Sequence, residues 1–564
     1  MLQDIPDIPD INITLKDGKV VKVKPGTTLL EIAQKEYPNP EYPILGAMVD
    51  NVIVDLWEQP YRDCKVVFID RRHPDGSRMA TRGLTMVLVK AVREVFPNRE
   101  IKVLHSLSKG LFCRWDDGIP MKIKEIQKIE RRMREIIDAD EKLICKKITR
   151  EEGKEIFKAA GFPDKVKLLN YRQKPDMKVY YCGDYVNYFF GRLPPSTGAV
   201  KEFELKYYPP GLILRYPSTM YPDGIPPYRE EKKIAQIYSE HKHWAEIMEV
   251  SDVASLNAVI TNGDTTDLIR VAEALHEKKI AKIADLITEN VDNIKIVLIA
   301  GPSASGKTTF AQRLAVQLRV NGMKPVALSL DDYFVNKEQT PLDEDGEYDF
   351  EHIEAIDLAL FNEHLQQLLL GEEVSIPRYD FKKGRRIENH KRMSLTEKNI
   401  LIVEGIHGLN NLLTESIPNE NKYKIYVSAL TMLNLDNHNR IPTTDGRIIR
   451  RIVRDHQFRN HSALETIYRW PSVRRGEERF IFPFQEEADI MFNSALIYEI
   501  AVLKGFVEPL LKKIPQSEPA YAEAKRLLSF TDNFLSIGTD EIPPNSILRE
   551  FIGAACFMKM DFVY

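Results

Sequence analysis

Three groups of residues in the second half of the chain have the types and spacing to handle phosphate. The first is "GPSASGKTT" (301–309), a G-x-x-x-x-G-K-T loop. In such a loop Gly301, Ser303, Ala304, Ser305, Gly306, Lys307, Thr308 and Thr309 surround a nucleotide's phosphates. The backbone N–H groups face the phosphates, Lys307 reaches the β- and γ-phosphates, and the Thr308 hydroxyl is the natural Mg²⁺ ligand. The second group is acidic: "LSLDDYF" places Asp331 and Asp332 after one apolar run, and "ILIVEGI" places Glu404 at the end of another. Asp331 is a candidate to take or orient an acceptor's proton, and Glu404 to lie near the metal. The third is "TTDGRIIRRIVRDHQFRN" (443–460), with Arg447, Arg450, Arg451, Arg454 and Arg459. Spacings of three and four put the first four around one broad helix face, where guanidinium groups can neutralise developing phosphate charge. We expect this segment to be a mobile lid that closes on ATP.

These groups need a scaffold. "IKIVLIA" (294–300) is almost continuously apolar, as a buried parallel strand is, and "FAQRLAVQLRV" continues the loop as a helix. Strand, glycine loop, helix and further apolar runs predict a parallel α/β sheet. Ahead of it lie nearly 300 residues of different character. Residues 11–70 alternate short β-type runs with turns. Asp17-Gly18 reads as a hairpin and Thr27 or Thr28 as the cap of a helix starting near Leu29. Residues 71–229 mix helical periodicity ("MVLVKAVREVFP", "KEIQKIERRMREIIDADEK") with a turn- and strand-rich end. Residues 230–290 are patterned as a helical connector.

The composition fits several domains. The chain has 564 residues, 43% of them hydrophobic and 29% charged, with net charge −4, which argues against nucleic-acid binding by bulk charge. Five scattered cysteines with no C-x-x-C pair, no long apolar run and an acidic, proline-punctuated start lead us to expect a cytoplasmic, reduced protein without a membrane span.

In this order, "GPSASGKTT", "LSLDDYF", "FEHIEAID", "IPRYDF", "IVEGI", "DGRIIRRIVRD" and "FPFQEEADIMFN" resemble the uridine/cytidine kinase branch of the phosphoribulokinase–uridine kinase family. The resemblance implies an ATP- and Mg²⁺-dependent kinase that phosphorylates a nucleoside 5′-hydroxyl, uridine or cytidine foremost, as in pyrimidine salvage. It implies Asp331, Lys307, Arg447 and Arg450 as catalytic residues and Arg454 as an ATP contact. Asp331, Tyr333, Glu351, Tyr379, Phe381, Arg386 and Arg447 would contact the substrate. Two departures stand out: Gly384 occupies the place of a base-reading histidine, and Glu351 stands where the family has a ribose-gripping aspartate. The first keeps open a kinase of another hydroxyl compound, such as pantothenate, glycerate or a sugar phosphate.

Residues 1–70 resemble the TGS β-grasp domain of threonyl-tRNA synthetases, and 71–229 their second additional domain, which edits misacylated tRNA. The carrying stretches are "TRGLTMVLVKAVREVFP", "LFCRWDDGIPMKIKEIQKIERRMREII", "ITREEGKEIF" and "YYCGDYV". The editing ligands are missing: Arg82 and Met86 stand for H-x-x-x-H, and of C-x-x-x-H only Cys182 remains, with Val186 at the histidine position. One ligand of four cannot hold a metal or a reactive water. The expected plan is a TGS-like domain (1–70), a degenerate editing-like domain (71–229), the connector (230–290), a P-loop kinase domain (291–515) and a tail (516–564). The front half is then a retained binding or regulatory module. Contact with RNA or tRNA, an RNA-associated regulatory ATPase and oligomer formation are its open alternatives.

Overall fold

The computed structural model describes residues 9–344, 346–380, 383–396 and 399–559. The first module begins with β1 (Ile11–Thr14), β2 (Val20–Val23) and helix α1 (Leu29–Glu36). It continues with β3 (Gly46–Val49), β4 (Val52–Val54) and β5 (Cys64–Ile69). Its mixed sheet has the order β2-β1-β5-β3-β4, with β1 and β5 parallel, which is a β-grasp arrangement. The expected hairpin joins β1 to β2 through Gly18 at φ +85°, and Thr28 caps α1 in a reciprocal box with Glu31.

Helix α2 (Pro74–Val95) opens the second module. It leads into β6 (Ile101–Leu107), β7 (Gly110–Trp115), α3 (Ile123–Asp138), β8 (Leu143–Thr149), α4 (Arg150–Ala159) and α5 (Pro163–Leu169). The strands β9 (Asp176–Cys182), β10 (Tyr185–Asn187), β11 (Glu204–Tyr208) and β12 (Gly211–Arg215) complete it. Two antiparallel sheets result, β11-β12-β7-β6 and β10-β9-β8. Helix α3 buries the stripe Ile126, Ile129, Met133, Ile136 and Ile137, the face its periodicity requires.

Three helices connect the halves: α6 (Lys232–Ile247), α7 (Val253–Asn262) and α8 (Thr265–Thr288). They do more than span a gap. Leu256, Ile269, Ala272, Ile280 and Ile283 share one core with Ile299, Phe310 and Leu314 of the phosphate-loop domain.

That domain starts with β13 (Ile296–Ala300), α9 (Lys307–Val320), β14 (Lys324–Ser329) and α10 (Leu358–Leu369). It continues through the hairpin β15 (Val374–Asp380) and β16 (Arg385–Met393) to β17 (Asn399–Glu404) and β18 (Lys422–Ser428). A small hairpin, β19 (Asn434–Asp436) and β20 (Asn439–Arg440), precedes α11 (Thr443–Phe458), α12 (Ala463–Phe480), β21 (Ile490–Asn493) and α13 (Glu499–Leu511). The sheet β14-β17-β13-β18-β21 is parallel throughout, with β13 buried at every residue in its centre. This is the P-loop kinase architecture that the apolar runs predict.

The final segment, with α14 (Tyr521–Thr531) and α15 (Arg549–Ile552), is built into the body. Ala524, Leu527, Phe530, Ile547, Leu548 and Phe551 belong to the same core as α9 and α11, so packing does not break at residue 515. A chain of ion pairs crosses the molecule here. Arg78 of α2 meets Glu523 at 3.1 Å, and Arg526 meets both Glu523 and Asp445 of α11 at 2.7 Å. The β19–β20 hairpin forms the other join: Lys165 of α5 pairs with Asp436 at 2.8 Å, both side chains at most 1% exposed. Among the described residues no helix is long and apolar enough to cross a membrane.

Candidate active site

The phosphate loop hangs between β13 and α9. Ala304 (φ +57°) and Gly306 (φ +83°) take left-handed backbone on either side of Ser305, the kind of alternation that forms a backbone anion nest. Gly301 is required by packing: a Cβ there would stand 1.9 Å from the Val427 carbonyl oxygen of β18. Phe310 is the first amide of α9 with a backbone partner, donating to the Gly306 oxygen at 3.0 Å. The amides of Lys307, Thr308 and Thr309 therefore have no intrahelical acceptor. Thr308 is exposed, and Lys307 lies along the loop, donating to the Pro302 carbonyl at 3.3 Å. Thr309 gives its amide (3.2 Å) and hydroxyl (2.8 Å) to one oxygen of Glu550.

Helix α11 is a core helix of the domain, not the mobile lid expected from its arginines. Arg447 and Arg450 are 1% and 0% exposed. Arg447 donates to the Ser303 carbonyl at 3.0 Å and pairs with Glu477. Arg450 reaches the Ala304 carbonyl at 3.4 Å and Glu499 at 2.5 Å. Both guanidinium groups bind carbonyl oxygens of the loop and so fix its backbone. Their geometry is that of positioning groups. Glu477 also accepts the Ser303 amide at 3.0 Å, and Arg451 donates to the Ser303 hydroxyl at 2.8 Å. Arg451, Arg454 and Arg459 share Asp455, at 3.3, 2.8 and 3.7 Å, leaving an excess of positive charge at that end of α11. The charge of Arg454 is the main influence that brings the Arg459 guanidinium down to about 10, and Asp331 opposes it.

The acids gather at the C-terminal edge of the sheet. β14 ends at Ser329, one turn earlier than its sequence implies, and Asp331 and Asp332 stand on the 3₁₀ turn Leu330–Tyr333. Glu404 is level with Ser329 in the ladder. The Ser329 hydroxyl donates to Glu404 at 3.2 Å and accepts the Asp331 amide at 3.4 Å. Burial, then the charge of Asp331, hold the Glu404 carboxyl above the usual range, while Lys307 pulls it down. Burial and Asp331 likewise push Asp332 up to about 6.

Glu351 is the other perturbed acid. Burial raises it to about 7 against the pull of Arg451 and Lys307, and its Oε2 is buried without a hydrogen-bond partner. Gly476 of α12 makes room for it, since a Cβ there would meet the Glu351 Cβ at 2.2 Å.

Lys307, Thr308, Asp331, Glu351, Glu404 and the Arg451–Arg454–Arg459 group thus form one neighbourhood. Other sequence candidates lie elsewhere. Tyr333 is fully buried in the core, its hydroxyl 3.0 Å from His364 Nδ1 and its ring against Phe361. Arg386 is engaged on the β15–β16 hairpin with Asp357 (2.8 Å) and Glu388 (2.7 Å). Tyr379 packs with Phe334, Phe350 and Ala355 in a small aromatic cluster. Phe381 lies outside the described residues. Glu477 and Glu550 carry no motif; only the fold brings them to the loop.

The residues also fit a magnesium–nucleotide group. The nest offers amides without acceptors, the Thr308 hydroxyl is exposed, and Glu404 and Asp331 repel each other where a cation would relieve them. Among the described residues no set of three or more His, Cys, Asp or Glu side chains is arranged to hold a metal unaided. The nucleotide's own oxygens would complete the coordination.

The front half contrasts with this site. Cys182 is fully buried beside Met86. Lys90 donates to Glu141 at 2.5 Å and to the Cys182 carbonyl at 3.2 Å, and burial pushes the thiol up to about 12. The Arg82 guanidinium lies over Gly191 (φ +121°), where a Cβ would be only 2.6 Å from its Cζ. Side chains fill the volume around Cys182 and Met86.

Residues 296–501 match the Phosphoribulokinase / Uridine kinase family. The N-terminal half is similar to threonine–tRNA ligases. Identity is 28% over 196 residues to that of Symbiobacterium thermophilum, and 27% over 196 residues to that of Francisella philomiragia subsp. philomiragia. The match covers 35% of this chain and 30% and 31% of theirs, so the chain spans about a third of the length of these curated relatives. A solved structure of a possible uridine kinase from Bacillus stearothermophilus aligns at 19% identity and TM-score 0.25, covering 37% of this chain and 97% of that one. The family match and the loop geometry support a small-molecule kinase, a phosphotransferase that uses a nucleotide.

Proposed function

We propose that the protein transfers the γ-phosphoryl group of ATP to the 5′-hydroxyl of a nucleoside, uridine or cytidine being the preferred acceptors. The observation that carries this reading is the grouping of Asp331 and Glu404 beside Lys307 at the mouth of the nest. In the transfer the bond between the γ-phosphorus and the ADP oxygen breaks as one to the 5′-oxygen forms, and the hydroxyl proton passes to Asp331. Lys307 and the amides at the start of α9 hold the phosphates in line, and Arg451, Arg454 and Arg459 offset charge on the transferring group. Arg447 and Arg450 act through the loop they clamp. Magnesium, held by Thr308 and Glu404, would supply further charge neutralisation. Glu351, near Arg451, would accept hydroxyl bonds from a ribose. The front half serves as a non-catalytic module.

One observation favours a second acceptor class. Gly384, at the position of the base-reading histidine, has φ +64° and lies 3.1 Å, at an added Cβ, from the Lys337 side chain. Gly384 itself brings no side chain to read a base, so a kinase of another small hydroxyl compound is the competing reading. The deciding experiment supplies the purified full chain with ATP, Mg²⁺ and a panel of nucleosides, then pantothenate, glycerate and sugar phosphates, and follows ADP and phosphorylated product. Equimolar ADP and nucleoside monophosphate support the proposal. Turnover confined to a non-nucleoside, or none with folded protein, rejects it.

A further inference from the structure

Thr309, at the start of α9, is met by a carboxylate from a distant part of the chain. Its amide is the last at the start of α9 without an intrahelical acceptor, two residues past Lys307, where a P-loop holds the α/β side of a nucleotide. One Glu550 oxygen takes both the amide and the hydroxyl, at 3.2 and 2.8 Å, across 241 residues of sequence. A neutral cap would satisfy these donors equally well. A carboxylate instead adds negative charge to a neighbourhood that already holds Asp331 and Glu404, and the Glu404 carboxyl responds to Glu550 as well as to Asp331. Charge of that sign at that spot is what a phosphate brings.

The segment bearing Glu550 is anchored. Ile547, Leu548 and Phe551 are fully buried, and Arg549 donates to the Thr539 and Ile542 carbonyls at 2.9 and 2.6 Å. Ile547 covers Gly306 so closely that a Cβ there would meet it at 2.6 Å. Arg450, which clamps the back of the loop, lies 4.9 Å over the Phe551 ring. The C-terminal segment and the loop therefore share one set of contacts.

We propose that Glu550 is a built-in phosphate mimic: the C-terminal segment occupies the α/β-phosphate side of the loop, and a nucleotide must displace it to bind. The inference rests on the loop being a nucleotide site, as proposed above, and adds an autoinhibitory contact to it. Nucleotide and Glu550 compete for the Thr309 amide, so removing the carboxylate tightens nucleotide binding.

The test measures MgADP binding by calorimetry to the full chain and to Glu550→Ala and Glu550→Gln, with thermal melts of each. The expected result is a Kd lower by about 5- to 30-fold in both variants, within the range of ordinary coupling between competing groups. In the wild type, MgADP should raise amide hydrogen exchange over residues 546–553. An unchanged or weaker Kd in folded variants makes Glu550 a structural cap and overturns the proposal. If the variants do not fold, the exchange measurement decides alone: unchanged or increased protection of 546–553 on MgADP addition overturns it. Failure of wild type and folded variants alike to bind millimolar MgADP removes the nucleotide-site reading itself. That outcome differs from binding at equal affinity, which removes only the mimic.

Discussion

The chain holds two places where a lysine meets a carboxylate beside a group of chemical interest, and it treats them in opposite ways. At Cys182, Lys90 and Glu141 satisfy each other, Met86 fills the neighbouring volume, and the thiol is held protonated by burial. At the phosphate loop, Lys307 has only a long bond to a carbonyl, and Glu351 and Glu404 are raised because burial and like charge are not compensated. Perturbed, uncompensated groups around a backbone nest mark a site kept for a charged ligand. Mutually satisfied groups in a filled volume mark a scaffold. Burial of titratable residues is common to both; what separates them is whether the charges cancel without a ligand.

The comparison breaks most directly at Lys307. Lys307→Ala should lower phosphoryl transfer by about 10³-fold or more, since one preorganised charge on a transferring group is lost while the fold stays intact. Asp331→Asn should lower kcat by about 10²–10⁴-fold with nucleotide binding nearly unchanged, as expected for lost general-base help. Steady-state kinetics with a binding isotherm check both. Near-normal kcat in Asp331→Asn would move the proton acceptor to Asp332 or Glu404.

Much of this contrast was legible in the sequence, and the illegible part has a common cause. The loop, its strand and its helix are local, so apolar runs and the G-x-x-x-x-G-K-T spacing disclose them. That Arg82, Met86 and Val186 are not histidines is likewise read directly along the chain. The arginines misled because a run such as "RIIRRIVRD" has the pattern of a solvated or mobile face. Arg447 and Arg450 are buried by Glu477 and Glu499, 30 and 49 residues away. Glu550 is further still from its partner. Sequence spacing reports neighbours within an element; it does not report which distant carboxylate will come to rest on a given amide.

The join between the halves extends the compensated class and can be broken there. Asp436→Asn strands the buried Lys165 ammonium, and removing one partner of a buried pair costs about 3–5 kcal/mol. We expect a clear fall in the chemical-denaturation midpoint. A change under about 0.5 kcal/mol, typical of surface pairs, would show the join to be solvated instead.

Glu351 sharpens the other side. Its folded-state pKa near 7 exceeds the ordinary 4.5, so the folded protein holds a proton that the unfolded chain releases. Stability then falls as pH rises between about 4.5 and 7 and stays reduced above that window. Glu351→Gln should remove this slope and be more stable than wild type at pH 8 by up to about 3 kcal/mol, with little difference at pH 4.5. Melting temperatures across this range decide it; parallel curves for the two proteins would mean that Glu351 is already compensated.

The smallest effect is expected at Cys182, and its smallness is the point. A thiol raised to about 12 is almost entirely protonated at pH 8, and the residue is fully buried. Iodoacetamide should therefore modify the exposed Cys556 in the native protein and leave Cys182 untouched until denaturant is added. Cys182→Ala should change kcat/KM of the kinase reaction by less than about twofold, since it touches no group at the loop, and should cost about 1 kcal/mol of stability through the lost volume. Rapid native-state alkylation of Cys182 would mean that the volume around it opens to solvent. The front half would then carry a live site of its own, and the division between an uncompensated site and a satisfied scaffold would have to be withdrawn.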